Sequence, residues 1–383
     1  MAPFNDFGLT EQQKLIRENV LGLVRRVLPD DKIRALDAAG EFPFEAFAAL
    51  AEAGWMGLPY AAEHGGMGGS AKDLAVFVEA VAEHYSSLAS AWLTTTIYAG
   101  KHIELFGTPE QRARFLPGVI AGRTRLALAL SEPEAGSDAA SIRTRAELRD
   151  GRYVVTGQKL YITCAHVAHH LVTVVKTDPG AGRRGISILI VDADAKGVTV
   201  RPMETLGRRT TRACEVFFDG VEVALDRRIG PENGAWRNLV RCLNLERLCL
   251  AAAGAGNLRH VLAYALDYAQ GRKAFGRTIT EYQAVSHKLA DIRIMAETAR
   301  LCAYRAAEML DAGLEPDLET SIAKVVATDN DFRGADLGLQ IMGGAGYTMA
   351  HDMQRMFRDS RVGTIGGGSN EIQRNIIARL IGA

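Results

Sequence analysis

Glu246 is the only acidic residue between Glu232 and Asp267, and it sits inside an apolar helical pattern. At helical spacing Leu239, Cys242 and Leu243 precede it on its face, and Cys249, Leu250 and Ala253 follow. A carboxylate on such a stripe loses hydration, which costs free energy unless the charge is paired or used. Desolvation also raises its proton affinity and makes it a stronger base once ionised. Two readings stand open: a structural ion pair with Arg241 or Arg247, or a general base.

Two further runs could present backbone N–H groups to a ligand. Ser131-Glu132-Pro133-Glu134-Ala135-Gly136-Ser137-Asp138 directly follows the apolar strand LALAL, and its small residues allow close approach to a flat or anionic group. Ile365-Gly366-Gly367-Gly368-Ser369-Asn370-Glu371 delivers the chain to a helix with Ser369 at a natural N-cap position. Such a helix start can hold phosphate oxygens or offer N–H groups to a carbonyl. His166, His169 and His170 lie close together but lead straight into the strand LVTVVKT, with no Cys or carboxylate at ligand spacing. They are expected to shape the strand entry, and no metal is expected. No GxGxxG follows a strand pattern, and neither a P-loop nor GxSxG occurs.

The elements that must position these residues change texture twice. Residues 9 to about 123 read as helical, with Thr10 opening the first helix and EAFAALAEAGWMGL ending at glycine. The break EHGGMGGS interrupts this half, and Tyr60, Glu63 and His64 beside it are expected to pack the loop. From Leu126 the runs LALALS, RTRAELRDGRYVVTGQK, LVTVVKT, GISILIVD, GVTVRPM and ACEVFFDGVEV are β-rich, with Asp150-Gly151 marking a hairpin. From Ala235 helical segments return through 268, 281–312, 317–342 and 370–381. Helices, then strands, then helices predict an α+β multidomain chain divided at 1–124, 125–230 and 231–383.

The 383 residues carry 45 basic and 45 acidic side chains, so no broad field for nucleic acid is built. Charge interrupts every long apolar run, which excludes a membrane-spanning helix. The first twenty residues lack a basic stretch followed by an apolar one, so secretion is not expected. Five cysteines without a CxxC pair suit reduced thiols in a cytoplasm.

Taken in order, LTEQQ, SEPEAGSD, GQKLYIT, GRKAFGRTI, QIMGGAGY and GGGSNEIQR resemble the acyl-CoA dehydrogenase flavoprotein family across essentially the whole chain. The resemblance implies an N-terminal helical domain, a central β-domain of barrel or sandwich type, and a C-terminal four-helix bundle. FAD would lie between the β-domain and the C-terminal helices, partly across a subunit interface of a homotetramer built as a dimer of dimers. Leu128, Ala129, Leu130, Ser131, Gly136 and Ser137 would line the flavin and acyl thioester pocket, with Tyr161 and Thr163 meeting the flavin. Arg272, Phe275, Gln283, Gln340, Gly343 and Gly344 would reach the FAD of a neighbouring subunit. Ser369 and Glu371 match positions for the other half of FAD, although glutamine often stands where this chain has Glu371.

Many members carry their catalytic glutamate where this chain has Gly367. A subgroup that includes isovaleryl-CoA dehydrogenases carries it on a helix in a Leu-x-Leu-Glu-Arg-Leu context, which Leu243-Asn244-Leu245-Glu246-Arg247-Leu248 fits. The resemblance therefore implies α,β-dehydrogenation of an acyl-CoA to its trans-2-enoyl form. Glu246 would take the α-proton, flavin N5 the β-hydride, and the Gly367 N–H with a ribityl hydroxyl would hold the carbonyl. Asn244 and Arg247 would border the substrate, Asn244 replacing a frequent Asp. An electron-transfer flavoprotein is the implied acceptor. The rivals are desaturation on an acyl-carrier protein, a flavin hydroxylase of the same fold, and a catalytically silent FAD-binding subunit.

Overall fold

The structure, a computed structural model, describes Asp6 and residues 8–383. Residues 1–5 and 7, on which the expectation about secretion partly rests, lie outside the described residues. Helix α1 (Glu11–Val27) begins where its cap predicts: the Thr10 hydroxyl accepts from Gln13 N at 3.2 Å, and Gln13 Oε1 accepts from Thr10 N at 3.1 Å. It is followed by α2 (Asp30–Ala39), α3 (Phe44–Glu52), α4 (Ala71–Leu93), α5 (Gly100–Phe106) and α6 (Pro109–Ile120). In the glycine-rich break, a Cβ on Gly66 would overlap the Tyr60 backbone. Tyr60 packs there as expected, fully buried, its hydroxyl donating to Thr96 O at 2.8 Å.

Two irregularities were not legible in the helical pattern. Tyr85 adopts φ −149° and ψ 103° inside α4, and Thr94–Ala99 form a π-helical turn before α5. Such turns recur at functional sites because they re-aim side chains without ending a helix.

The strands are β1 (Leu126–Ala129), β2 (Arg145–Arg149), β3 (Arg152–Lys159), β4 (His170–Lys176), β5 (Ile186–Asp192), β6 (Val198–Pro202), β7 (Cys214–Ala224) and β8 (Arg228–Ile229). They form one sheet in the order β6-β7-β3-β2-β4-β5-β8, with β1 added parallel to β4. Asp150 and Gly151 connect β2 to β3 with φ of 48° and 74°, the left-handed pair that a two-residue hairpin demands. The sheet is barrel- or sandwich-like because it curls so that its own strands share a core. Leu171, Val175, Leu189 and Val191 share a core with Tyr153, Val155, Val216 and Phe218 of the same sheet. On the opposite face, Val172, Val174, Ile188 and Ile190 join Ile103, Phe115 and Leu239.

Helix α7 (Ala235–Gly271) leads the last part of the chain. A small hairpin of β9 (Lys273–Ala274) and β10 (Arg277–Thr278) follows, then α8 (Gln283–Asp311) and α9 (Asp317–Met342). The chain ends through α10 (Gly344–Tyr347), α11 (Met353–Ser360) and α12 (Asn370–Leu380). Helices α7, α8 and α9 pack together, α12 lies against α9, and α4 closes the group. Small residues permit this. A Cβ on Gly254 would sit 3.1 Å from Ala327 O, and one on Gly256 would overlap Glu79 O. Buried Glu79 ties three helices, accepting from Tyr304 Oη at 2.7 Å and Arg259 Nη1 at 3.2 Å. No helix among the described residues is long and apolar enough to cross a membrane.

Candidate active site

Glu246 lies in the fourth turn of α7, on the stripe its neighbours predict. Leu239 and Cys249 are fully buried, Cys242 and Ala253 nearly so. Among the described residues no ion pair or hydrogen bond engages the Glu246 carboxylate, which removes the structural ion pair as its explanation. Arg247 instead donates to Asn244 Oδ1 at 2.7 Å, and Asn244 Nδ2 donates to Asp317 at the start of α9. Glu246 is half-buried, its carboxylate retaining some accessible surface within densely packed surroundings. Burial pushes its carboxyl up to about 7, against the opposing positive charges of Arg247 and Lys324. Tyr98, on the π-helical turn, feels the Glu246 charge and is itself held well above the ordinary phenol range by burial.

The glycine run comes to the same place. Gly367 has φ +66°, and a Cβ added there would collide with Leu250 Cδ1 and lie 3.4 Å from Glu246 Oε1. Its N–H has no acceptor among the described residues, nor do those of Gly368 and Ser369. The turn is held from behind. Gln373 Nε2 donates to the carbonyls of Gly367 and Gly368, both at 3.1 Å, and Lys324 Nζ donates to Gly368 O at 3.0 Å. Ser369 caps α12 as its position predicts, accepting from Ile372 N at 3.4 Å. Glu371, exposed in the first turn, is held below the usual carboxylate range by its own backbone N–H and the Ser369 hydroxyl.

Leu128 and Ala129 end β1, and Leu130 and Ser131 continue into a loop whose outer rim, Gly136 and Ser137, is exposed. A buried pair that the sequence reading did not single out fixes this loop. Lys159 Nζ donates to Glu132 Oε1 at 2.7 Å and to Leu130 O at 2.9 Å, while Glu132 also accepts from the N–H groups of Arg143 and Thr144. Tyr161 and Thr163 follow β3 in the adjoining connection. Tyr161 stands 62 % exposed at φ +62°, so it does not pack a strand. The hydroxyls of Ser131, Ser137 and Thr163 have no hydrogen-bond partner among the described residues.

The remaining predicted positions gather at the other end of α7. A pocket of about 490 Å³ is lined by Arg272, Gly343 and Gly344 together with Tyr268, Ile279 and Met342. Phe275 tips the β9–β10 hairpin, 95 % exposed, while Gln283 opens α8 and Gln340 lies near the end of α9, both exposed. Arg272 closes the helix that carries Glu246, 26 residues on, a span of about 39 Å. These two residues of one chain cannot touch the same reacting group. The three histidines go separate ways: His169 Nδ1 accepts from Arg125 N at 2.9 Å, and His170 Nδ1 meets Asp192 Oδ1 at 2.6 Å. His166 Nδ1 faces Cys214 Sγ at 3.7 Å.

Three models of the same family cover the chain in order: the acyl-CoA dehydrogenase N-terminal domain over residues 10–123, the middle domain over 127–221 and the C-terminal domain over 233–382. The chain belongs to the acyl-CoA dehydrogenase family. It is an FAD-dependent oxidoreductase of that family. It is 34% identical to an acyl-CoA dehydrogenase of Bacillus subtilis (strain 168), covering 97% of this chain and 98% of the relative. It is 33% identical, with the same coverage, to the caffeyl-CoA reductase-Etf complex subunit CarC of Acetobacterium woodii. The crystal structure of the prolyl acyl carrier protein oxidase AnaB superposes with a TM-score of 0.94 at 26% identity, covering 98% of this chain and all of that one.

Lys324 and Gln373 were not read from the sequence as site residues. Lys324 left a signal of the same kind as Glu246: a lone charge in the small and apolar run SIAKVVAT. Gln373 left none, since a glutamine on a helix is ordinary.

Proposed function

We propose that this family member dehydrogenates an acyl-CoA thioester between its α and β carbons, with Glu246 as the base that removes the α-proton. The observation that carries the reading is the unpaired Glu246 carboxylate beside the free N–H of Gly367. An α-proton of a thioester is weakly acidic, so its removal needs a desolvated base and a polarised carbonyl together. Glu246 has the first property, and the Gly367 N–H can donate to the carbonyl oxygen. Leu250 fills the space beside Gly367. Arg247, held by Asn244, orders the helix at the base rather than pairing with it.

FAD fits the donor set. The unpartnered hydroxyls of Ser131, Ser137 and Thr163 and the exposed Tyr161 can meet the flavin half, and the Ser369 and Gly368 N–H groups a pyrophosphate oxygen. When bound, FAD supplies the acceptor for the β-hydride. Arg272, Phe275, Gln283, Gln340, Gly343 and Gly344 serve the FAD of a second copy, because the length of α7 keeps them from the first. A homotetramer built from such dimers accommodates this, and with the chain divided at 1–124, 125–230 and 231–383 the cofactor would lie between the second and third parts. Electron-transfer flavoprotein is the acceptor we infer, supported by the similarity to an Etf complex subunit. A cytoplasmic location and a role in fatty acid metabolism accompany this reading.

The test is Glu246→Gln, assayed by anaerobic bleaching of the bound flavin with a panel of acyl-CoA thioesters. Loss of bleaching by at least a hundredfold is expected for removal of a general base. Bleaching as fast as the parent would falsify the assignment. A second reading, an acyl group on a carrier protein, is favoured by the similarity to AnaB. Turnover of the carrier-bound thioester at rates the CoA thioester does not reach would select it. A protein that binds FAD and is inert to every thioester would be the silent subunit.

A further inference from the structure

Lys324 sits on α9 with no solvent exposure and no carboxylate within ion-pair distance among the described residues. Its ammonium is satisfied by neutral oxygens instead: Gly368 O at 3.0 Å and Asn370 Oδ1 at 2.8 Å. The carboxylate that acts on it most strongly, Asp329, is taken by Arg374 Nη2 and Asn370 Nδ2, each at 2.7 Å. A cation buried without a paired counter-ion is costly, and its field reaches the other charges of the same low-dielectric region. One of these is Glu246, which adjoins the turn Lys324 holds.

We propose that Lys324 is a positioning residue of this site: by gripping Gly368 and Asn370 it fixes the 367–369 turn beside Glu246, and it brings a buried positive charge to the neighbourhood of that carboxylate. The proposal rests on Glu246 being the base only for its meaning in catalysis; its two physical parts stand on the hydrogen bonds and the buried charge. Both parts come from one side chain. The grip leaves the Gly367 N–H in a fixed direction and unpaired, while Gln373 holds the neighbouring carbonyls from the other side. The charge acts against the burial that raises the carboxyl.

The groups facing Glu246 are few. Arg247, Cys242 and Cys249 lie on its own helix, Tyr98 on the π-helical turn, and Lys324 on α9. Lys324 in turn feels Asp329, Arg247, Glu246 and Glu371, and burial draws its ammonium down to about 8. Of the two cations acting on Glu246, Arg247 acts more strongly and donates to Asn244, whereas Lys324 also holds the turn itself. The two ionisations are coupled, so the carboxyl titrates as a member of a pair.

Three variants separate grip from charge in the FAD-loaded protein. Lys324→Arg keeps the charge, Lys324→Gln keeps a donor without charge, and Lys324→Met removes both. The protonation of Glu246 is read by infrared difference spectroscopy, its carboxylic acid band assigned by subtraction of the Glu246→Gln spectrum. The midpoint is expected to rise in the Gln and Met variants and to stay near the parent value in Arg. Amide exchange across residues 366–370 is expected to quicken about tenfold in Met, reporting the lost grip. Should Met not fold, the Gln–Arg comparison carries the charge part unchanged. An unshifted midpoint in Gln overturns the charge, and unaltered exchange in folded Met overturns the grip. Flavin bleaching by Glu246→Gln remains a separate measurement, so failure of the base assignment shows there and not in the infrared midpoint.

Discussion

A Cβ placed on Gly367 would lie 3.4 Å from Glu246 Oε1. The carboxylate from α7 therefore occupies the neighbourhood that a side chain rising from the glycine turn would enter. Two positions 121 residues apart in sequence compete for one location. Under the proposed mechanism, a base delivered from either position would approach the substrate from the same neighbourhood.

The first prediction concerns pH. With the Glu246 carboxyl raised to about 7, the group is a neutral acid below that pH and a base above it. The rate of flavin reduction by a saturating acyl thioester is expected to climb about tenfold per unit below pH 7 and to level above it. Stopped-flow measurement at constant ionic strength between pH 5 and 9 reads this limb. A flat profile across that range would show that another group sets the rate.

The same shift has a consequence for stability with the opposite sense. A carboxyl bound more tightly to its proton in the folded state than at its ordinary 4.5 favours folding at acid pH, and that contribution is lost as pH rises through about 7. At roughly 1.4 kcal/mol per unit the difference amounts to about 3 kcal/mol. Glu246→Gln should therefore raise the melting temperature at pH 8 and leave it nearly unchanged at pH 4. Equal effects at both pH values would mean that the substitution acts through packing.

How much of this was legible depends on how far apart the cooperating residues lie in the chain. Thr10 with Gln13, Asp150 with Gly151, and Ser369 before α12 are local devices, and each stands where its residue types predict. Glu246 was visible because a single charge interrupts an apolar period. Its lack of a partner was not, since Arg247 beside it could have pointed either way. The π-helical turn at 94–99 hides in a run of helix-compatible residues. The Lys159–Glu132 and Lys324–Gly368 contacts join segments 27 and 44 residues apart, and only the packed fold brings them together.

The third prediction concerns moving the base. Combining Glu246→Gly with Gly367→Glu should recover little flavin reduction, because the new Cβ meets Leu250 Cδ1 and the backbone stands at φ +66°. Trimming Leu250 to Ala removes the steric part. The triple variant is expected to exceed the double by at least tenfold in anaerobic bleaching rate. If trimming Leu250 brings no gain, the backbone conformation and not the side chain is the barrier.

The last prediction separates the cofactor loop from the base. Lys159 and Glu132 form a buried pair, and burial draws the lysine down to about 8 even with the carboxylate beside it. Lys159→Met leaves Glu132 without its cation in an enclosed site, which costs about 3–5 kcal/mol when one partner of such a pair is removed. The N–H groups of Arg143 and Thr144 still hold Glu132, so the damage falls on Leu130 and the loop behind Ser131. Retention of FAD on gel filtration is expected to drop while the far-ultraviolet circular dichroism stays that of the parent. The double variant Lys159→Met with Glu132→Leu, which removes both charges, should melt at a higher temperature than Lys159→Met alone. If the double variant is no more stable, the pair is not what the loss of Lys159 exposes.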